Sequence, residues 1–194
     1  MVAPYDRREV ILTTAARLFA HKGVKPSTIR MIADAVDITS GSLYHHFDSK
    51  DAIVREVLGR YLTTLSNNLV ETLQEETDSA TRLHNLVFRS LEVSNNNLYA
   101  ATIYQNELHY LNESPRFDPI HVIVDDIQRT WRRVIEGGVR DGSFRLDLDA
   151  TLFHNLIRDA VWFSVRYYHS SDSHTTETLA AEVTAIFLHG FSAT

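Results

Sequence analysis

Apolar residues recur three or four positions apart along almost the whole chain, which predicts helices throughout. Val10, Ile11, Ala15, Leu18 and Phe19 form a first stripe, and Gly23 ends that helix. Ser27 and Thr28 cap a short helix carrying Ile29, Ile32, Ala33 and Val36. Leu43 and Phe47 sit four apart on another. Ser49 caps a longer helix carrying Ile53, Val57, Leu58, Tyr61, Leu62 and Leu65. A weaker helix is expected over 80–93, ended by the polar stretch 94–97, and another over 98–111, closed by Ser114-Pro115. A long helix runs up to Arg140, Asp141-Gly142 makes a turn, and Asp149 caps a helix reaching about Tyr168. A polar loop over 170–173 leads to a last helix over 175–189, with Gly190 as its stop. No strand alternation appears, so the fold class is all-α.

Residues 28–50, TIRMIADAVDITSGSLYHHFDSK, place two short helices about three residues apart. Ala33 lets them cross closely, and Ile29, Ile32, Val36, Ile38, Leu43 and Phe47 can share one small core. That is the geometry of a helix-turn-helix, whose second helix enters the major groove. With Leu43 and Phe47 inward, Ser40, Gly41, Ser42, Tyr44, His45 and His46 include the outward face. The candidate DNA contacts are Ser27, Thr28, Thr39, Ser40, Gly41, Ser42, Tyr44, His45 and Lys50. Gly41 permits close approach to phosphates, and Lys50 opens a helix, where ammonium and helix dipole both favour phosphate. A plain three-helix bundle end is the competing reading. His45-His46 is a poor metal pair, because adjacent helical side chains diverge by about 100°.

Charge changes this picture modestly. The 194 residues carry a net charge of -6, yet residues 1–60 hold nine Lys and Arg against seven Asp and Glu, and all three lysines. The remainder is acidic. The asymmetry suggests a DNA-facing end on an acidic body. Cysteine is absent, so disulfide and thiolate chemistry are excluded. No signal peptide or membrane-length apolar run is visible, so a cytoplasmic protein is expected, with no metal, cofactor or membrane partner. No nucleophile elbow or phosphate-cradling glycine loop points to an enzyme.

Ile32-Ala33, Gly41-Ser42-Leu43-Tyr44-His45-His46-Phe47 and Ser49-Lys50 resemble the DNA-binding signature of the TetR family of bacterial regulators. The one departure is Asp37, where the family usually has Gly. Asp tolerates a left-handed backbone better than most residues, so the turn should survive. The resemblance implies nine or ten helices, with an N-terminal three-helix module over 1–50 and a ligand-binding and dimerisation body over 51–194. It also implies a four-helix dimer interface made by the last two helices.

The helix after Asp149 agrees with that independently. Leu152, Phe153, Leu156, Ile157, Ala160, Val161, Phe163, Ser164, Tyr167 and Tyr168 fill about half its wheel, so it should pack on two sides. Leu179, Val183, Ile186 and Phe187 of the last helix are the expected partners. A monomer with a thick core is the alternative. Arg158, Trp162 and Arg166 form a stripe on the polar face. Two guanidiniums and an indole suit a nucleotide-like ligand such as coenzyme A. Equally, an arginine can stack on Trp162 and pair with an acid across the dimer.

IYQNE (103–107), PRF (115–117), GSFRLDLD (142–149) and LIRDAVWFSVRYY (156–168) are similar to the TetR-family repressors of actinobacterial steroid-ring catabolism. That resemblance implies a coenzyme A thioester as effector, with Arg158, Trp162 and Arg166 on its coenzyme A part. The acyl part is expected in an apolar cavity, chiefly against Tyr99, Ile103 and Tyr104, with Leu86, Phe88, Leu91, Leu108, Phe117, Ile120, Ile123, Ile127 and Trp131 as wider candidates. His109 and Gln105 could orient a polar group. The partners expected are double-stranded palindromic operator DNA, a small-molecule effector and a second copy of the chain. A multidrug-type repressor sensing lipophilic compounds keeps the fold and changes the ligand. An enzyme acting on acyl-CoA and a ligand-free regulator are the other rivals.

Overall fold

A computed structural model describes residues 6–145, 147, 149–167 and 175–189, without the side chains of 165–167. The described residues form helices and no strands. In order these are α1 (Arg7–Lys22), α2 (Ile29–Ala35), α3 (Ser40–Tyr44), α4 (Lys50–Thr72), α5 (Ser79–Asn96), α6 (Leu98–Asn106) and α7 (Leu108–Asn112). A single 3-10 turn, Pro115–Phe117, precedes α8 (Asp118–Arg140), α9 (Ala150–Tyr167) and α10 (Thr176–His189). Among the described residues, no helix is long and apolar enough to cross a membrane.

Local chemistry sets most boundaries. Asp6 accepts from the Arg8 N–H at the start of α1, and Gly23 ends that helix at φ 88°. Thr28, Thr39, Ser49, Asp149 and Thr175 each take a backbone N–H of the following first turn, as side-chain caps do. The expected Gly190 stop, the loop over 170–173 and Tyr168 lie outside the described residues.

Two boundaries differ from expectation. α5 continues through the polar stretch to Asn96, because Ser94 is buried and Asn95 donates to the Thr176 hydroxyl at 3.2 Å. The single helix expected over 98–111 is broken at Glu107. Its carboxylate accepts from the Val24 N–H at 2.8 Å, a contact 83 residues away in sequence.

The chain folds as two compact units. One holds residues 1–61 and 97–121, the other 62–96 and 122–194. In the first, α1 packs against α2 and α6, and α2 packs on α3. Ile11, Phe19, Ile32, Leu43 and Ile53 are closed to solvent there. Polar links cross the same unit. Arg8 pairs with Glu56, Arg60 reaches Glu9 at 2.6 Å and Glu56 at 2.8 Å, and the Arg8 guanidinium lies 4.5 Å over the Phe47 ring. In the second unit, α5 packs against α9 and α10, and α9 against α10. Leu86, Leu91, Ile157, Val161 and Ala180 form its interior.

Candidate DNA-reading face and effector helix

The helix-turn-helix is built from its turn outward. Val36 closes α2, and Asp37 then takes φ 55°, the only positive φ at a non-glycine among the described residues. Asp supplies the left-handed turn that glycine would otherwise supply. The chain re-enters α3 at Thr39, whose Oγ1 accepts from the Ser42 N–H at 3.1 Å. Leu43 and Phe47 point into the small core, so Gly41, Tyr44 and His45 are exposed, and Ser40 and Ser42 half-buried. Tyr44 is 53% exposed. A phenol held that far out of the core is available to a partner.

Gly41 has no reason inside the protein to be glycine. A Cβ there would meet nothing closer than Thr39 Oγ1 at 3.8 Å, and its φ is ordinary. The missing side chain therefore clears only the outer surface. Thr28 and Thr39 are exposed caps, and each hydroxyl keeps its proton for an outside acceptor.

Two expected contacts face the other way. Ser27 is 1% exposed, and its hydroxyl donates to the Gly23 carbonyl at 2.7 Å, tying off the end of α1. The Lys50 ammonium donates to the carbonyls of Val24, Lys25 and Ser27 at 2.6, 3.2 and 2.9 Å. Three carbonyls use up its three N–H donors, so it fixes the loop before α2.

The base of α4 carries a second polar junction. Asp51 accepts from the Tyr110 hydroxyl and from Arg116 at 2.8 Å. Burial alone would push its carboxyl up, but these two donors outweigh burial and hold it below the usual carboxylate range. Burial and the Asp51 carboxylate push the Tyr110 phenol well up. Lys25 and Glu113 add an exposed pair at 3.1 Å.

The expected acyl contacts Tyr99, Ile103 and Tyr104 lie on α6 within this same unit. Ile103 and Tyr104 are buried, while Tyr99 is exposed, its ring edge-on to His21 at 5.8 Å. Phe117 is closed core against the Tyr110 ring, and His109 is exposed and paired with Glu113.

In the other unit α9 presents three different faces. Ile157 and Val161 point inward. Leu152, Leu156 and Phe163 recur on another side and are exposed, Leu156 at 54% and Phe163 at 62%, with Ile186 of α10 exposed as well. On the polar side the Arg158 guanidinium lies 5.2 Å over the Trp162 ring and donates to Asp159 at 2.9 Å. That is the stack-and-pair arrangement, with the acid on the same helix. The side chain of Arg166 lies outside the described residues.

Sequence reasoning missed two features here. The first is a cavity of about 220 Å³, whose wall includes Val139, Phe144, Phe153 and Phe187, with Ser143 and Arg145 as polar members. Phe144 lies against the α8 backbone, where a Cβ on Gly138 would come within 2.2 Å of its ring. The glycine pair at 137–138 was the available signal. The second is His154, one turn before Arg158 and 3% exposed. Among the described residues no group of three or more His, Asp or Glu could hold a metal ion.

A left-handed turn followed by a short capped second helix that faces outward is helix-turn-helix geometry. Residues 11–57 match the family described as bacterial regulatory proteins, tetR family, and residues 76–191 match the tetracyclin repressor-like C-terminal domain. The chain belongs to the TetR family. It is a DNA-binding transcriptional repressor and not an enzyme. It is 40% identical to the HTH-type transcriptional repressor KstR2 of Rhodococcus jostii, over 96% of this chain and 91% of that one. It is 38% identical to KstR2 of Mycolicibacterium smegmatis, over 97% and 92%. The structure of the ketosteroid transcriptional regulator KstR2 of Mycobacterium tuberculosis superposes with a TM-score of 0.87 at 35% identity, covering 98% of this chain and 97% of that one.

Proposed function

We propose that the protein is a homodimeric repressor that grips a palindromic operator through two copies of α3 and is released by an acyl-CoA thioester of steroid or lipid catabolism. The DNA contacts are assigned to Thr28, Thr39, Ser40, Gly41, Ser42, Tyr44 and His45, with Ser27 and Lys50 holding the loop beside them. The division of labour is a DNA-reading part up to about residue 50 and a sensing and dimerising part beyond it, at work in the cytoplasm. A second copy is assigned to the exposed stripe of Leu152, Leu156, Phe163 and Ile186, since contiguous exposed apolar residues mark association surfaces.

The observation that carries the ligand reading is the Arg158–Trp162 stack. Indole and guanidinium together offer a flat surface and a phosphate fork, which suits the adenosine diphosphate portion of coenzyme A. Asp159 holds Arg158 only through an exposed ion pair, which a phosphate can displace at little cost. The ketosteroid regulator among the relatives supports a steroid-derived acyl group. Tyr99, Ile103 and Tyr104 are assigned to the apolar part, and Arg166 to the coenzyme A part. Release follows if the ligand favours a dimer in which α4 has tilted and the two α3 helices no longer match their half-sites. The ligand weakens DNA binding only by its differential affinity for the two states.

The test is operator affinity by fluorescence anisotropy, with and without a panel of acyl-CoA thioesters. Affinity should fall with a cognate thioester, and Arg158→Ala or Trp162→Ala should abolish that response while the free variants still bind operator. Release by lipophilic compounds but by no thioester would replace this ligand with that of a multidrug-type repressor. Unchanged affinity throughout would reject ligand-driven release.

A further inference from the structure

The polar stripe of α9 runs inward as well as outward. His154 lies one turn before Arg158, so the two share a face of the helix, with Trp162 a turn further on. Along that line the side chains pass from half-buried to closed. Arg158 and Trp162 are partly accessible, and His154 is sealed. Its imidazole sits beside the indole of Trp131 on α8, with ring centroids 5.7 Å apart at 42°. Nε2 is shut off from solvent and has no hydrogen-bond partner among the described residues. Burial, then the nearby charges of Arg158 and Arg132, push its pKa down to about 4. The ring is therefore neutral near pH 7, with one N–H and one lone pair.

An unpaired nitrogen in an apolar interior costs stability that a phenyl ring of similar size would not. A buried polar group left in that state calls for a use. The structure assigns one: we infer that His154 is a specificity-determining residue, whose Nε2 recognises a carbonyl or hydroxyl oxygen on the otherwise apolar body of the effector. This rests on the ligand reading above, in which Arg158 and Trp162 receive the anionic end. The effector is then an apolar molecule with two polar features, a phosphate-bearing end and an oxygen on its buried body. A pure hydrocarbon chain would leave Nε2 unpaired and bind less well. Sites that hydrogen-bond a ligand oxygen discriminate strongly against analogues that lack it.

The experiment uses the full chain, calorimetry and thermal melting. The probes are coenzyme A, a saturated acyl-CoA, and oxo- and hydroxy-acyl-CoAs of matched length. Wild type should prefer an oxygenated thioester by about tenfold or more. His154→Phe should erase that preference, and without ligand it should melt at the same temperature as wild type or higher. A retained preference in His154→Phe overturns the inference. So does a melting temperature several degrees lower without ligand, which would mean that the imidazole already has a structural partner. Failure of the coenzyme A reading shows separately, as wild type binding none of the thioesters. The same comparison made with matched oxygenated and hydrocarbon carboxylic acids then decides the role of His154.

Discussion

The two compact units satisfy their buried polar groups differently. In the unit that carries α3, distant segments are tied by Arg8–Glu56, Arg60–Glu9, Glu107 on the Val24 N–H, the Lys50 ammonium on three carbonyls, and Asp51 between Tyr110 and Arg116. Among its described residues, His121 Nε2 is the one buried side-chain atom without a partner. The other unit has links of its own, such as Arg89 with Glu71 and Glu75. Yet four buried atoms there have no partner among the described residues: Thr77 Oγ1, Arg82 Nε, His154 Nε2 and Thr184 Oγ1. Satisfied networks specify one geometry, and unsatisfied ones leave interactions to be gained. The contrast separates a unit around α3 held to one geometry from a second unit with interactions still to be gained.

The largest test of that contrast is on the exposed apolar stripe of the second unit. Leu156→Asp with Phe163→Asp should yield folded monomers by sedimentation. Loss of the second half-site should weaken operator affinity by roughly 10²–10⁴-fold. In the unit that carries α3, Leu43→Ala removes a side chain closed to solvent and should cost about 2–5 kcal/mol in denaturant titrations. Asp51→Asn leaves Tyr110 and Arg116 without their anion and should cost roughly 1–3 kcal/mol. Equal stability there would remove the polar junction from the comparison.

How far these features could be foreseen depended on how local their causes are. Gly23, the caps at Thr28, Ser49 and Asp149, and the left-handed Asp37 are fixed by residues within four positions of one another, and all were legible. The break at Glu107 was not, because its cause is the Val24 amide 83 residues away. Ser27 and Lys50 look like phosphate ligands in sequence. The Lys50 ammonium meets the carbonyls of Val24, Lys25 and Ser27 only because α4 starts beside that loop, while the Ser27 hydroxyl turns back locally to the Gly23 carbonyl. The two apolar sides of α9, one buried and one exposed, were readable from its wheel. The Phe144 wall of the cavity and the isolation of His154 were not, because each depends on what another helix places beside it.

A smaller effect isolates a single cap. Thr39→Ala should cost about 1 kcal/mol in the same denaturant titrations, because the Ser42 N–H loses its acceptor. The subtlest test is acid. His154 is held below its ordinary 6.5, at about 4, so the folded protein refuses a proton that the unfolded chain accepts. Its share of stability is complete above pH 6.5 and is lost as pH falls toward 4. Asp51 and Glu56 are also held low, Glu56 chiefly by the hydrogen bond from Arg8, from ordinary values of 3.8 and 4.5. Their share is complete above those values and disappears only below them. Hydrogen exchange along a pH series should therefore show the unit that carries His154 loosening first. Simultaneous loosening of both halves would break the distinction.

Gly41 carries a genetic consequence. Because nothing inside the protein fixes that position, a larger residue there should leave melting and pairing intact while blunting contact with the operator. Such a subunit would still find wild-type mates and spoil the mixed pairs. An allele altered at residue 41 should therefore be dominant over the normal copy, whereas one that merely unfolds the chain should be recessive.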